Sequence, residues 1–300
     1  MIRHSYSTAT VLFLTLMLGG AKSVHAQPPE PAQPPAADAA AVAPSAGDDM
    51  AALADDDDDA RLRPMEPDYS LVNLPTTLPL PVHGGNFHLT HRFNENLAED
   101  SFKTQLQNLF GLDEGATIDF EYRFGLFKHV ELIASRTNVD RTISLGTKVD
   151  AFHQTDKMPV GISGIFGVEG GNNFSERYAT TLGVVVSRTI ASKLALYATP
   201  IVVHNTLPDV GEDVRNTFYV GLGTRIRIRP TLYVVVEGSP RVAGYTPGNA
   251  EFAFSLETRV GAHVFAITFA NSSAVTYGQL ARGGNPDSLY LGFNLSRKFF

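Results

Sequence analysis

From about residue 83 to the C-terminus, apolar and polar side chains alternate one for one in run after run. Only extended backbone puts successive residues on opposite faces, so this period is the mark of strands. Phe87, Leu89, His91 and Phe93 interleave with His88, Thr90 and Arg92, and Ile118, Phe120, Tyr122 and Phe124 interleave with Asp119, Glu121 and Arg123. Phe218, Val220, Leu222, Ile226 and Ile228 interleave with Gly221, Gly223, Arg225, Arg227 and Arg229. Further strand runs cover 130–136, 143–153, 160–169, 178–188, 194–204, 232–239, 250–260, 263–270 and 289–300. The reading is an all-β chain of about twelve strands.

The connections sort themselves. Short ones fall near 126–129, 154–158, 191–193, 229–231 and 261–263; long ones near 94–116, 137–142, 170–177, 205–216, 241–248 and 271–287. Regular alternation of short and long is what an up-and-down antiparallel barrel in an outer membrane produces, with tight turns on one side and long loops on the other. A soluble sandwich has no reason to sort its turns this way. An even strand number also brings both ends of the barrel to the short-turn side.

One face of most strands is Phe, Leu, Ile, Val and Tyr; the other is Gly, Ser, Thr and charge. Alternation alone does not say which face is inside: a soluble barrel turns the apolar face in, a membrane barrel turns it out. The start of the chain favours the membrane. Arg3 and His4 precede the apolar run Val11–Leu18, and Gly19-Gly20-Ala21 and Val24-His25-Ala26 follow, which reads as an export signal cleaved near Ala26. That run is too short to cross a bilayer as a helix, and no later stretch approaches 18 apolar residues, so insertion of the mature chain would have to use strands. With no cysteine in the chain, disulfides, thiolate metal sites and a lipid-modified cysteine anchor are all excluded.

Between leader and barrel, residues 27–67 read as a disordered Pro/Ala/Asp-rich linker, within which 27–60 holds nine acids, including Asp55–Asp59, and no base. Residues 1–26 hold Arg3 and Lys22 and no acid, so of 24 basic and 31 acidic residues 22 of each remain for 61–300. The barrel region is electroneutral, without the basic face that nucleic-acid binding would want. Residues 68–82 carry three prolines and cannot form a central strand; an extended lead-in on the periplasmic side, or one folding into the barrel mouth, is expected. The barrel domain is taken as 68–300.

The closing strand, Leu289 to Phe300, ends in Phe. In this the chain resembles bacterial outer-membrane β-barrels, whose terminal aromatic is recognised by the barrel assembly machinery. The resemblance implies that machinery and outer-membrane lipid as partners. More narrowly, His91-Arg92-Phe93, Asn108-Leu-Phe-Gly-Leu-Asp113 and Glu121-Tyr-Arg-Phe-Gly-Leu-Phe-Lys-His-Val-Glu-Leu-Ile-Ala-Ser-Arg136 resemble an uncharacterised barrel family, over roughly residues 70–300. That likeness implies a fold and no activity.

The face expected to line the lumen carries Arg92, Arg123, Lys148, Arg225, Arg227, Arg229, Arg259 and Lys298 against Asp119, Glu121, Glu131, Asp150, Glu169, Glu237, Glu251 and Glu257. Charges inside a narrow barrel must be paired or hydrated. They therefore form either a bracing network or the lining of a constricted pore. The candidate selectivity residues are Arg225, Arg227 and Arg229, a ladder along one strand suited to anions, together with Arg92, Arg123, Asp119, Glu121, Glu237, Glu257 and Arg259. Cross-strand pairing with acids such as Glu237 is the alternative for the ladder. The loop 94–116 places Leu97, Phe102, Leu106 and Leu109/Phe110 at helical spacing, a short helix that either caps or enters the mouth, or packs on the rim.

No cofactor or metal site is indicated: the histidines are scattered, and His88 and His91 point to opposite faces. A lipid-acting barrel enzyme would want serine and histidine together on the lipid face, but His91 reads outward while Ser144, Ser163 and Ser187 read inward. The expectation is a non-enzymatic outer-membrane barrel, either a narrow channel for small solutes or ions or a structural barrel. A lipid-acting enzyme and a soluble periplasmic ligand-binding barrel are the alternatives.

Overall fold

The computed structural model describes residues 65–99, 101–111, 115–206 and 216–300, with only the backbone at Phe102 and Leu109. The leader and most of the linker expected over 1–67 lie outside the described residues. Twelve antiparallel strands close into an up-and-down barrel. They are β1 (Gly85–Asn96), β2 (Ala116–Phe127), β3 (Val130–Thr137), β4 (Ile143–Phe152), β5 (Gly161–Gly170) and β6 (Glu176–Ile190), then β7 (Leu194–His204), β8 (Thr217–Arg229), β9 (Leu232–Ser239), β10 (Glu251–Val260), β11 (His263–Ala270) and β12 (Tyr290–Phe299). Each strand pairs with the next. Closure comes from β1 against β12, in a register that sets Gly85 opposite Phe299 and Leu89 opposite Leu295. A three-residue segment, Arg241–Ala243, adds to the loop-side end of β8.

The turns sort by side as the connection lengths require. The tightest closes with Lys193 N–H donating to Ile190 O at 3.1 Å, with Ala191 and Ser192 at φ 50° and 53°. Positive φ at both central residues is the type I′ geometry whose twist matches the flanking strands. The long connections gather at the opposite end, called here the loop side.

The barrel resolves which face is inside. Phe120, Tyr122, Phe166, Leu182, Leu222 and Ile267 all project outward and are each more than 40% exposed. On the opposite face Arg92, Arg123, Lys148 and Arg225 are at most 2% exposed. Each large apolar side chain left in water would forgo about 1.5–3 kcal/mol, a loss no soluble fold sustains around its whole girth. The exterior fits lipid, and the soluble alternative is set aside.

Two segments fill the interior. Residues 65–82 rise inside the barrel from the turn side, reverse at Leu71–Leu74, and return to begin β1. The reversal is tied by Leu71 N–H to Leu74 O at 2.8 Å and Thr76 N–H to Tyr69 O at 2.9 Å. The sequence reading left this stretch either extended on the periplasmic side or folding into the barrel mouth; it folds in, and goes well past the mouth. Its apolar residues explain why: Leu71, Val72 and Leu74 are at most 1% exposed, and the lumen is where they escape water. Met65, the first described residue, is already buried.

The second insert comes from the loop side. The connection 271–289 folds inward through a short helix, Tyr277–Leu280, and Leu280 and Ala281 are fully buried beside Leu71 and Leu74. The loop 94–116, the sequence candidate for capping or entering the mouth, forms the helix Phe102–Gln107 on the rim. Leu106 is 53% exposed there, and Asn108 Nδ2 donates to Glu95 Oε1 at 3.2 Å.

Candidate functional site: a lumen closed by its own chain

The tip of the N-terminal plug is gripped through its backbone. Glu237, inward on β9, accepts the N–H groups of Val72, Asn73 and Leu74 at 3.0, 2.9 and 3.2 Å. A reversal of this kind points successive N–H groups to one side, and a carboxylate there satisfies them all. Asn73 is held by its side chain as well: it donates to Glu251 Oε1 at 3.2 Å and accepts from Arg92 Nη2 at 3.2 Å. Asn294 Nδ2 on β12 donates to Val72 O at 2.8 Å.

The rising and returning limbs are held by cations. Arg123 donates to Tyr69 O and Ser70 Oγ at 3.4 and 3.0 Å, and Arg225 Nη2 donates to Ser70 O at 2.8 Å. Lys148 Nζ donates to Thr76 O and Leu78 O at 3.2 and 2.6 Å. The Tyr69 ring has Lys298 Nζ at 5.0 Å and Lys148 Nζ at 5.8 Å from its centroid, both at cation–π range. Burial, reinforced by the carboxylates of Glu131 and Asp68, holds the Tyr69 hydroxyl above its ordinary range. Gly221 and Gly223 make room for the apolar tip: a Cβ on either would fall 2.6 and 2.2 Å from Leu74 and Leu71 side chains.

The candidates from the sequence fall into two groups. Arg92, Arg123, Asp119, Glu237, Glu257 and Arg259 are buried on the lumen face with Arg225, and Glu121 is half-buried beside them. Arg225 Nε meets Glu257 Oε2 at 2.9 Å, and Arg123 contacts Glu121 at 2.6 Å and Glu131 at 3.2 Å. Arg225 thus pairs with Glu257, not with the Glu237 offered as its partner from sequence. Arg227 and Arg229 are not brought into this set. Arg227 is bonded to Pro230 O at 3.0 Å in the turn below, and Arg229 is exposed. The ladder of three does not form, because β8 runs out of the lumen before its second rung.

Charge inside the barrel is divided by wall. On β2 to β5, Asp119, Glu121, Glu131, Asp150 and Glu169 face Arg123 and Lys148; on β8 to β12 and β1, Arg92, Arg225, Arg259 and Lys298 face Glu237, Glu251 and Glu257. One wall has an excess of acid and the other a slight excess of base. Among the described residues no cluster of three metal-ligating side chains occurs. His91 stacks on Phe293 at 4.7 Å on the outer face, while Ser163 donates to Asp150 and Ser187 meets Thr77 inside.

Sequence reasoning passed over Tyr69, Asn73 and the buried helix Tyr277–Leu280. Three prolines and the apolar residues Leu71, Val72 and Leu74 between linker and barrel were the signal for the first two.

Residues 68–299 match the family described as membrane bound beta barrel domain (DUF5777). The chain belongs to that family. No curated protein matches the sequence. Among solved structures, the outer membrane protein Omp33 of Acinetobacter baumannii is 12% identical with a TM-score of 0.41, over 74% of this chain and 100% of that one. The NanC porin is 10% identical with a TM-score of 0.46, over 72% and 99%. The outer membrane phospholipase A of Escherichia coli is 9% identical with a TM-score of 0.43, over 71% and 89%. A porin and a phospholipase stand side by side here, and at these scores neither activity transfers to this membrane bound barrel.

Proposed function

We propose that this member of the membrane bound barrel family is a gated narrow passage for small solutes or ions across the outer membrane, held shut by its own residues 65–82 and the loop 271–289. The observation that carries the reading is the way the plug is held. The lumen charges reach it mainly through hydrogen bonds to its backbone, each worth about 1.5–3 kcal/mol net because one partner is charged, and water replaces each of them when the plug leaves. A charged, hydratable wall survives the plug's departure, whereas an apolar lumen would not.

The test is single-channel recording in planar bilayers. The full chain is expected to be nearly silent, and a variant lacking 65–80 with the loop 273–286 shortened is expected to conduct steadily. A correctly folded variant, shown by its heat-dependent gel shift, that still does not conduct would return the barrel to a structural role.

A further inference from the structure

A hollow persists in the acid-rich wall with both inserts in place. Glu121, Ser135, Ser144 and Glu169 form one transverse row across β2 to β5, each directly opposite the next, and all four line the hollow. The adjacent row toward the turn side runs Arg123, Ile133, Gly146, Gly167, Thr181. Two neighbouring glycines leave that row bare where side chains would fill the wall. Asn73 of the plug closes the hollow on one side and Thr276 and Tyr277 of the loop insert close it on another. Its volume of about 60 Å³ is enough for several waters or one small solute.

Glu169 accepts the Gly278 N–H of the loop insert at 3.3 Å, but other polar atoms of this wall are left over. Ser144 Oγ has no hydrogen-bond partner. Asp119, one inward position further along β2, is only 5% exposed and its Oδ1 has none either. Arg123 is the one base on these two rows, and it divides itself between Glu121 and Glu131. The Glu121 side chain is 20% exposed, so water and small solutes reach it. A cavity with a carboxylate at each end of a row, hydroxyls between them and apolar walls such as Ile133, Ile165 and Val275 is matched by an apolar chain that carries cationic N–H donors.

We propose that this hollow binds a small primary amine, and that a linear diamine fits it best. Glu121 and Glu169 stand at the two ends of the row, three strand spacings apart, about 14 Å between Cα atoms along the sheet, with their side chains directed inward. An ammonium group at each end meets a carboxylate. The two serine hydroxyls between them accept further N–H bonds, and the methylene chain lies over Ile133 and the glycines. The site goes beyond the passage reading and does not depend on conduction; it needs only a folded barrel.

The experiment uses the full chain in detergent with putrescine as probe, followed by calorimetric titration and thermal unfolding. Putrescine is expected to bind saturably and raise the unfolding temperature, butylamine more weakly, and the diol of the same length not at all. Ser144→Leu fills the hollow while breaking no hydrogen bond, and is expected to weaken putrescine by roughly tenfold or more. Gly167→Ala, whose Cβ would meet nothing closer than 3.6 Å, is expected to fold and to weaken it less. Both variants keep the Asp55–Asp59 run, so loose attraction to the acidic tail is separated from the site. Absence of saturable binding to the folded barrel, equal binding of the diol, or unchanged affinity in both variants would overturn the proposal.

Discussion

Deep in the barrel, Glu237 accepts the backbone N–H of Asn73 at 2.9 Å, so a strand carboxylate holds the turn of the segment that closes the lumen. The neighbouring N–H groups of Val72 and Leu74 converge on the same side chain. Closure therefore rests on one acid more than on any other single residue.

Glu237→Ala is expected to loosen the plug, because two buried donors and one part-buried donor lose their acceptor, at about 1–3 kcal/mol for each buried group left unsatisfied. The chain has no cysteine, so a Leu71→Cys reporter is read without background. The reporter alone should resist a water-soluble maleimide and, combined with Glu237→Ala, should react quickly. Equal protection in both backgrounds would mean that Glu237 is not the latch.

Gly221→Phe attacks the same contact from the other side. Even a Cβ there would fall 2.6 Å from Leu74, and a ring has no space beside the plug tip. The variant should hold its barrel, shown by an unchanged gel shift, and raise conductance. A silent variant would place the barrier elsewhere, with the loop insert the next to be removed.

Arg225 and Glu257 are both at most 2% exposed, and their pair is braced by the plug through Ser70 O. Removing either alone leaves a buried charge and should cost about 3–5 kcal/mol, whereas Arg225→Met with Glu257→Leu should recover most of it. Urea unfolding of the two single variants and the double variant measures the coupling. Additive losses would show that the pair is hydrated and separate in solution.

Arg227→Ala and Arg229→Ala should change stability by no more than about 0.5 kcal/mol and leave ion selectivity alone, since Arg227 is tied into its turn and Arg229 is exposed at the turn end of β8. Reversal-potential measurements on the plug-deleted barrel decide this. A selectivity shift in either variant would return both residues to the conduction path.

Much of this could be read locally. The alternation in Phe87–Phe93 and Ile118–Phe124 needs only the strand period, and the sorted connection lengths need only the up-and-down path. Arg227 and Arg229 share the parity of Arg225, which is why sequence joined them; depth along the strand separates them, and that depends on where β8 meets its turn. The loop 94–116 and the loop 271–289 both carry apolar residues among polar ones. Only the latter goes inside, because its strands β11 and β12 bring it beside the apolar tip of the plug.

By itself the sequence determined the strands, a count of about twelve, their up-and-down order and the two chemically distinct faces, because each follows from neighbours along the chain. The tertiary structure decided what fills the lumen: that Leu71 and Leu74 fit over Gly221 and Gly223, that Glu237 meets the backbone of Asn73, and that Gly146 and Gly167 leave a hollow. Those contacts join residues up to 164 positions apart, and they exist only once curvature and register have closed the sheet around them.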